Sequence, residues 1–334
     1  MSNKLSMRAL ILEEFGVPLR LVEIARPVAD RGQVLVRIKA SGANPLELKI
    51  RTGASPQTKT RLPAVLGLDL AGIVESVGRD VTDFKPGDEV YGMTGGVGSL
   101  QGSLAEFAAV DADLLAKKPS NYSMREAAAL PMVFLTAWEG LVDKAKVQAG
   151  QNVLVNGGAG GVGHVVVQIA LAHGAQVFAT DSAQRKETIE KLGATAINYQ
   201  TTTMDQCVAE HTNGEGFDII YDTVGGPTLD ASFGAVRPYR GHVVSCAGMG
   251  VHKIGPLSFR AGTYSGVFTL LPMLSGKGRA HHGDILRKAT KLAETGKLRP
   301  LLDSRHFGLE TTHEAHEIIE AGTASGKIVI DIAT

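Results

Sequence analysis

The sequence is poor in cysteine, with only Cys207 and Cys246 among 334 residues. Two thiols exclude a disulfide framework and a structural zinc site built from four thiolates. The residues before the first apolar segment, which starts at Met7, do not have the pattern of a secretory leader, so we expect none. These features predict a reducing, cytoplasmic location.

The sequence also lacks a charge imbalance and a long apolar run. Lys and Arg together number 34, as do Asp and Glu, so no net field attracts the chain to nucleic acid or to an anionic membrane. No stretch approaches the ~18 consecutive apolar residues of a membrane-spanning helix. We therefore expect a small-molecule partner, with neither nucleic acid nor membrane as a partner.

Glycine, in contrast, is abundant, at 40 residues. The run from Asn152 to Ala170 contains an apolar strand, a glycine turn and an apolar helix start. In such a turn Gly158 permits the tight bend, Gly160 lets the backbone approach a pyrophosphate, and Gly163 allows close packing of helix on strand. The unpaired N–H groups of the helix N-terminus then face the phosphates. This pattern predicts a dinucleotide site at Gly158, Gly160, Gly161, Val162 and Gly163, and we interpret His164 as a surface residue at the helix start.

The length predicts two domains at ~150 residues each. Short strands separated by glycine and proline turns dominate the first third and predict a compact β domain: Arg8–Leu12, Gln33–Ala40, Ala71–Val77, Glu89–Gly92 and Ala105–Val110. After a helical stretch from Ala127 to Val142, six strands alternate with helices and predict a doubly wound parallel sheet: Asn152–Asn156, Gln176–Asp181, Ala194–Tyr199, Asp218–Val224, His242–Ala247 and Gly266–Leu271.

The segment after Pro272 contains two helical patterns, His282–Thr295 and Thr312–Ala321, and ends on the strand pattern Lys327–Ile332. We expect this segment to return to the first domain. The predicted division is residues 1–123 with 272–334 as one domain and residues 124–271 as the dinucleotide-binding domain.

Several motifs resemble the medium-chain dehydrogenase/reductase superfamily, and specifically its zinc-free quinone oxidoreductase and enone reductase branch. The motifs span nearly the whole chain: 40–45 (ASGANP), 67–78 (GLDLAGIVESVG), 84–92 (FKPGDEVYG), 102–107 (GSLAEF), 128–131 (AALP), 135–138 (LTAW), the glycine turn and 326–329 (GKIV). The resemblance implies an α/β protein, with a GroES-like β-rich catalytic domain and a Rossmann-type doubly wound parallel six-stranded sheet.

Metal chemistry distinguishes the branches of this superfamily. Zinc alcohol dehydrogenases of this fold bind catalytic zinc through Cys and His at the places occupied here by Asn44 and Leu68. A carboxamide and an alkyl group do not replace a thiolate and an imidazole as zinc ligands, so we expect no metal. Hydride from NAD(P)H must then go to an electrophilic acceptor, here the activated C=C bond of an enone or enal. The alternatives are quinone reduction and, in another class, a cofactor-binding sensor or structural protein without turnover.

The resemblance suggests two catalytic candidates, Asn44 and Lys49. Asn44 corresponds to a polar group near the nicotinamide or substrate. Lys49 stands where many quinone reductases have Tyr and several enone and alkenal reductases have Lys. Its ammonium could stabilise the oxygen on which charge develops, could hold the cofactor ribose, or could be a solvated surface charge.

The choice between NADH and NADPH stays open in the sequence. Asp181 lies 21 residues after Gly160, where a carboxylate typically binds the ribose hydroxyls and disfavours a 2′-phosphate. The quinone reductase branch generally uses NADPH, however. Ser182, Arg185 and Lys186 could surround the phosphate if Asp181 turned away.

The resemblance implies further cofactor-binding residues: Thr136, Tyr199, Val224, Cys246, Ala247, Phe268 and Leu270. It also implies a homodimer that pairs through the sixth strand of the parallel sheet, predicted at Gly266–Leu271, because an open sheet edge can pair with a second copy.

Overall fold

A computed structural model describes residues 5–332, which form two compact units. The β-rich unit comprises the residues up to Met132, Leu270–Gly296 and the residues from Pro300 onward. The parallel-sheet unit comprises Val133–Thr269 with Lys297–Arg299. The first boundary between units falls at Met132, eight residues beyond the start of the predicted dinucleotide-binding domain. No helix within residues 5–332 has the length and hydropathy needed to cross a membrane.

Strands and helices are numbered separately in chain order. The strands are β1 Ser6–Leu12, β2 Arg20–Ala25, β3 Gln33–Gly42, β4 Ala64–Val65, β5 Asp69–Val77, β6 Glu89–Met93, β7 Phe107–Asp111, β8 Leu115–Lys117, β9 Asn152–Asn156, β10 Gln176–Asp181, β11 Thr195–Asn198, β12 Ile219–Asp222, β13 His242–Ser245, β14 Thr263–Gly266, β15 Phe307–Gly308 and β16 Val329–Asp331. The α-helices are α1 Pro45–Arg51, α2 Met124–Ala128, α3 Pro131–Trp138, α4 Gly163–Ala172, α5 Lys186–Leu192, α6 Met204–Thr212, α7 Gly226–Phe233, α8 Gly255–Phe259, α9 Leu271–Ser275, α10 Arg279–Glu294 and α11 Thr312–Glu320.

The β-rich unit is built on a largely antiparallel sheet in the order β15-β16-β3-β5-β6-β8, with β7 also paired to β3. A second sheet has the order β2-β1-β4. Strand β16 pairs antiparallel with β3, Ile330 opposite Ser41, so β16 belongs to the sheet of the β-rich unit. This pairing brings Lys327, just before β16, close to the turn at Asn44 that follows β3.

The parallel-sheet unit contains six strands in the order β11-β10-β9-β12-β13-β14, all parallel. The predicted doubly wound α/β fold is confirmed. Strand order reverses between β9 and β12, and ligands of such sheets bind beyond the carboxyl ends of the strands at this point. One face of the sheet packs on a buried apolar cluster that includes Leu154, Phe217, Ile220, Phe233 and Val243.

The predicted position of the sixth strand was wrong. Strand β14 covers Thr263–Gly266 instead of Gly266–Leu271, and the N–H of Val267 makes a last bond to Ser245 O at 2.9 Å. Helix α9 then begins at Leu271 with Pro272 in its first turn, and proline is well suited to the first turn of a helix. The more apolar run that follows Gly266 therefore leaves the sheet, and a more polar segment forms the exposed edge.

The helical stretch predicted before the glycine turn is interrupted. Helices α2 and α3 are separate because Pro131, which lacks an N–H, starts α3. A π-helical turn, Glu139–Lys144, follows α3 directly. Gly140 in this turn lies against Tyr221 of β12, where a Cβ would be only 2.5 Å from the ring. The absence of a side chain at Gly140 therefore allows the turn to pack on the sheet.

Candidate functional site

The loop between β9 and α4 is a tight turn that tolerates no side chain at two of its glycines. The N–H groups of Gly157 and Gly158 both bond to Thr180 O at 3.0 Å. A Cβ on Gly163 would lie 2.0 Å from Gly157 O, and one on Gly158 would lie 2.4 Å from the Ala179 Cβ. Gly161 is different, since its Cβ would meet nothing nearer than 3.6 Å. The glycines thus shape a backbone cradle at the start of a ten-residue helix, which fits a pyrophosphate.

His164 is part of this loop and was wrongly predicted to lie on the surface. Its side chain is buried, and its Nδ1 lies 2.9 Å from Gly160 O. The ring thereby fixes the carbonyl of the central glycine. The sequence carries little signal for this, because a histidine in a glycine turn is polar and its burial depends on the packing of α4.

The end of β10 is bonded to the glycine loop. One carboxylate oxygen of Asp181 accepts from Ala159 N–H at 3.0 Å and the other from Ser182 N–H at 2.9 Å. Tyr199, just after β11, donates its N–H to Asp181 O at 3.2 Å and has a 60% exposed side chain. Arg185 is half-buried in the turn after Ser182. The structure therefore brings Asp181, Ser182, Arg185 and Tyr199 together beside the loop.

The strand ends on the other side of β9 are joined by Asp222. Its Oδ2 accepts from Ser245 Oγ at 2.8 Å and from Gly225 N–H at 3.0 Å, and burial raises the pKa of its carboxyl group. The Thr223 hydroxyl donates to Asn156 O at 2.7 Å and so connects β12 to the start of the glycine loop. The contacts among Asp222, Ser245 and Asn156 were not predictable from the sequence, because polar residues at strand ends are common and the strand order determines which of them meet.

Val224, Cys246 and Ala247 lie at these strand ends. The Val224 side chain is 56% exposed, Cys246 is half-buried, and Ala247 N–H donates to Ser245 Oγ at 3.0 Å. Burial, with the nearby Asp222 charge, raises the pKa of the Cys246 thiol to about 12. The thiol is therefore protonated at neutral pH, and its expected role is contact with the cofactor.

The remaining expected cofactor residues have different surroundings. Thr136 is buried in α3, and its backbone oxygen accepts a 2.6 Å hydrogen bond from the Tyr221 hydroxyl. Phe268 is 43% exposed and belongs to the parallel-sheet unit. Leu270 is only 2% exposed, belongs to the β-rich unit and directly precedes α9. The cofactor role of Leu270 stays a prediction.

Asn44, the first expected catalytic residue, lies inside the β-rich unit. Its Nδ2 has three acceptors: Gly42 O at 3.1 Å, Glu47 Oε1 at 3.2 Å and Asp69 Oδ2 at 3.0 Å. Its Oδ1 accepts from Lys327 Nζ, which also donates to Ala43 O at 2.7 Å. The carboxamide is therefore held firmly by buried partners, and its catalytic role stays a prediction.

We call Asn44, Glu47, Asp69 and Lys327 the buried polar cluster; none is more than 8% exposed. Burial raises the pKa of Glu47 to about 7 and that of Asp69 to about 6, while the charge of Lys327 opposes both shifts. Burial also lowers the pKa of Lys327. The three ionisable members were not predicted from the sequence, although the aspartate inside the apolar run 66–74 is a signal that could have identified one of them.

Lys49, the second expected catalytic residue, is exposed on α1. Within residues 5–332 its ammonium has no hydrogen bond or ion pair. The Lys49 ammonium is therefore exposed to water and free to bind a ligand.

The residues at the two places of the zinc ligands do not fit that metal. Leu68 is a buried alkyl side chain, and the Asn44 oxygen already accepts from an ammonium. Zinc sites need thiolate, imidazole or carboxylate donors. In the part of the chain that the structure describes, no group of three or more His, Cys, Asp or Glu side chains is arranged to hold a metal ion.

Family models match both units. The description "Alcohol dehydrogenase GroES-like domain" matches residues 30–120, and "Zinc-binding dehydrogenase" matches residues 192–330. Curated relatives cover nearly the whole chain. A 2-methylene-furan-3-one reductase from Solanum lycopersicum is 37% identical over 92% of this chain and 74% of its own length. An NADPH-dependent alkenal/one oxidoreductase from Arabidopsis thaliana is 34% identical over 97% and 79%, and a human quinone oxidoreductase is 30% identical over 97% of each chain.

The chain belongs to the medium-chain dehydrogenase/reductase superfamily. Among solved structures, an alcohol dehydrogenase superfamily protein from Novosphingobium aromaticivorans is 53% identical, with a TM-score of 0.96 over 98% of this chain and 100% of that chain.

Membership confirms the predicted family and the class of NAD(P)H-dependent oxidoreductases that act on small molecules. The glycine cradle, with strand ends on both sides of the switch between β9 and β12, fits the dinucleotide that this superfamily binds. Gly158, Gly160, Gly161, Val162 and Gly163 would hold its pyrophosphate. The zinc named in one family description has no matching donor set at Asn44 and Leu68.

Proposed function

We propose that this medium-chain reductase is a zinc-independent NAD(P)H-dependent enzyme that reduces the activated C=C bond of an enone or enal. The observation that carries the proposal is the combination of a complete dinucleotide cradle with Asn44 and Leu68 at the places of the zinc ligands. A simple carbonyl without a Lewis acid is a poor hydride acceptor, whereas a conjugated double bond is already electrophilic. Two relatives are named for reductions of this kind.

In this function NAD(P)H supplies the hydride. The chain binds the cofactor, orients the substrate and stabilises the charge that develops on it. The glycine loop holds the pyrophosphate at the carboxyl edge of the sheet. We propose that the Lys49 ammonium stabilises the negative charge that develops on the substrate oxygen when the β-carbon is reduced. The buried polar cluster keeps the segment between Asn44 and Lys49 in one conformation.

The decisive experiment is turnover with a small α,β-unsaturated ketone, beside a simple benzoquinone, after treatment with chelator. We expect a saturated ketone, identified by mass, at a rate that chelation does not change. Turnover with the quinone alone would support quinone reduction, for which the human relative's name is the favouring observation. No turnover with either acceptor would support the alternative of a cofactor-binding protein without turnover.

Lys49→Ala tests the catalytic assignment. We expect kcat to fall by roughly 10²-fold while the dissociation constant of the cofactor changes less than twofold. Lys49→Arg should recover part of the rate, and Lys288→Ala, which removes an exposed lysine of α10, is the matched control. An unchanged kcat in Lys49→Ala would identify Lys49 as a solvated surface charge.

We propose NADPH as the preferred cofactor. Both oxygens of Asp181 accept backbone N–H groups, one of them in the glycine loop, so the carboxylate is turned toward the loop. We infer that Ser182 and the half-buried Arg185 then bind the 2′-phosphate, and one relative is named as NADPH-dependent. Arg185→Ala should raise KM for NADPH about tenfold or more without changing KM for NADH, and an equal effect on both would contradict the assignment.

We further propose a homodimer that pairs through β14. The N–H groups of Thr263 and Val267 bond to the β13 side at 2.9 Å each, so by alternation those of Tyr264 and Gly266 point to the open edge. Gly266→Pro removes an outward donor, and a Cβ there would have no neighbour nearer than 3.9 Å. We expect a dimeric mass for the wild type and a monomeric mass for Gly266→Pro at micromolar concentration. A monomeric wild type would reject the proposal.

The cytoplasmic location is also a proposal, supported by the two free thiols, Cys207 and Cys246. Fractionation of cells that express the chain from its own gene would test it. Recovery in a membrane or exported fraction would contradict it.

A further inference from the structure

Two buried carboxylates share one buried ammonium in the β-rich unit. Glu47, Asp69 and Lys327 are 1%, 0% and 8% exposed. With both carboxylates ionised, the group has an excess negative charge away from water, and an unpaired buried charge is strongly unfavourable. One bound proton makes the group neutral.

Hydrogen bonds identify the carboxylate that binds this proton. Asp69 accepts from Met132 N–H at 2.8 Å on one oxygen and from Asn44 Nδ2 at 3.0 Å on the other, and Lys327 Nζ lies 3.9 Å away. Each of these contacts stabilises an anion. Glu47 has only longer bonds, from Asn44 Nδ2 at 3.2 Å and Leu68 N–H at 3.3 Å, and both are on Oε1. Oε2 is buried without any hydrogen-bond partner and is therefore the oxygen on which the proton lies.

His316 of α11 connects this oxygen with solvent. Its Nε2 lies 4.0 Å from Glu47 Oε2 and is itself buried without a hydrogen-bond partner. His316 lines an open cleft of about 210 Å³ with Arg51, Thr312 and His313. Burial lowers the pKa of His316 to about 4, so its ring is neutral and takes up a proton only transiently, passing it between Glu47 and solvent when a small side-chain movement closes the gap.

We propose that Glu47 is a buried carboxylic acid that exchanges its proton with solvent through His316, and that the protonated form keeps Asn44 in position. Glu47 is then a positioning residue. Its effect on turnover depends on the proposed function, whereas the proton site itself does not.

The other charged groups around Glu47 are paired or distant from Oε2. Arg51, one turn along α1, bonds to Glu320 of α11 at 2.7 Å, while Lys49 and His313 are exposed. Asp69 and Lys327 face Glu47 from β5 and from the segment before β16. Loss of the Glu47 proton adds a negative charge beside Asn44 and attracts Lys327, which otherwise donates to Asn44 Oδ1. The Asn44 carboxamide then loses its hydrogen bond from Lys327 and is no longer held in position.

Infrared difference spectroscopy of the cofactor-free chain tests the proton site directly. We expect the band of a protonated carboxyl group to disappear with a midpoint near the pKa of about 7 for Glu47. The band should be absent in Glu47→Gln and present in Glu314→Gln, which changes an exposed carboxylate of α11. It should also persist in Asp69→Asn. A band that survives in Glu47→Gln, or the absence of a band in the wild type, overturns the proposal. The spectra of the wild type and Glu47→Gln are sufficient for this test even if Asp69→Asn does not fold.

Glu47→Gln is also informative through its stability, because glutamine has the shape of the protonated acid. We expect it to match the melting temperature of the wild type in mildly acidic buffer and to exceed it in alkaline buffer. A variant that is destabilised at every pH would show that the ionised carboxylate is needed.

The pH profile tests the positioning role. Above the Glu47 midpoint, we expect kcat/KM of the wild type to fall by about tenfold for each pH unit, because the protonated fraction of Glu47 falls by the same factor. In Glu47→Gln, we expect kcat/KM to stay constant over this pH range. An unchanged fall in Glu47→Gln would overturn the positioning role. Absence of turnover in all variants would reject the proposed function, and the infrared result would still decide the proton site.

Discussion

The Tyr221 hydroxyl donates a 2.6 Å hydrogen bond to the backbone oxygen of Thr136, and both residues are buried. The ring fills the space left by the missing side chain of Gly140. Burial raises the pKa of Tyr221 well above its usual range, so the hydroxyl stays a donor. This bond fastens α3 and the following π-helical turn to the centre of the parallel sheet, beside an expected cofactor residue.

Tyr221→Phe should lower the free energy of unfolding by about 0.5–1.5 kcal/mol, because it removes one buried hydrogen bond. Chemical denaturation measures the change. Tyr239→Phe, which alters an 85% exposed tyrosine, should change stability by less than about 0.5 kcal/mol. Equal stabilities of Tyr221→Phe and the wild type would show that the bond contributes nothing.

Gly163→Ala should destabilise the parallel-sheet unit and abolish cofactor binding, because its Cβ would lie 2.0 Å from Gly157 O. Gly161→Ala is the matched control, since its nearest contact of 3.6 Å is ordinary. Thermal unfolding without cofactor should show a lower melting temperature for Gly163→Ala and an unchanged one for Gly161→Ala. If both variants keep the wild-type melting temperature, the loop adapts more than its geometry indicates.

Asp303 should stabilise the chain through five donors from Arg305 and Ser325, at 2.6–3.1 Å. The Arg305 guanidinium, with these N–H and O–H groups, holds the pKa of the Asp303 carboxyl well below its usual range. Its contribution is therefore present above the unfolded value of 3.8 and is lost as the pH falls further. Asp303→Asn should cost about 2–4 kcal/mol at neutral pH and less in acid, while Asp83→Asn, on the surface, should cost nothing. If Asp303→Asn lowers the stability equally at neutral and acidic pH, the stabilisation does not come from the charge of Asp303.

Lys327→Met should be strongly destabilising, by about 3–5 kcal/mol, because it leaves the buried Asp69 carboxylate without its cation. Combination with Asp69→Asn should recover part of this loss by removing the negative charge that Lys327 neutralises. Lys288→Met provides an exposed control. If the double variant is no more stable than Lys327→Met, the two residues are not coupled.

Much of the fold was predictable from local patterns. Alternating apolar residues indicated the β-rich strands, and continuous apolar runs bounded by turns indicated five of the six parallel strands. The sixth was misplaced because its edge position allows a polar sequence, while the more apolar segment after it enters a turn and a proline-started helix. Edge strands carry a weaker pattern than central strands because only one neighbour and part of one face bury them.

The glycine loop was predictable at the level of single residues, since steric exclusion at Gly158 and Gly163 is a local property. The contacts of Asp181 with the loop, and of Asp222 with Ser245, depend on strand order and could be anticipated only in outline. The burial of His164 was not predictable, because it depends on how α4 packs.

The sequence by itself determined the family, the fold class and the glycine loop, because residues near each other in the chain encode these features. Only the tertiary structure decided that Asn44 is enclosed, that Glu47 faces His316, and that Lys327 serves two carboxylates. The reason is that burial and charge pairing arise between residues far apart in the chain, here through the return of β16 to β3, and no local pattern specifies which ionisable groups lose their water.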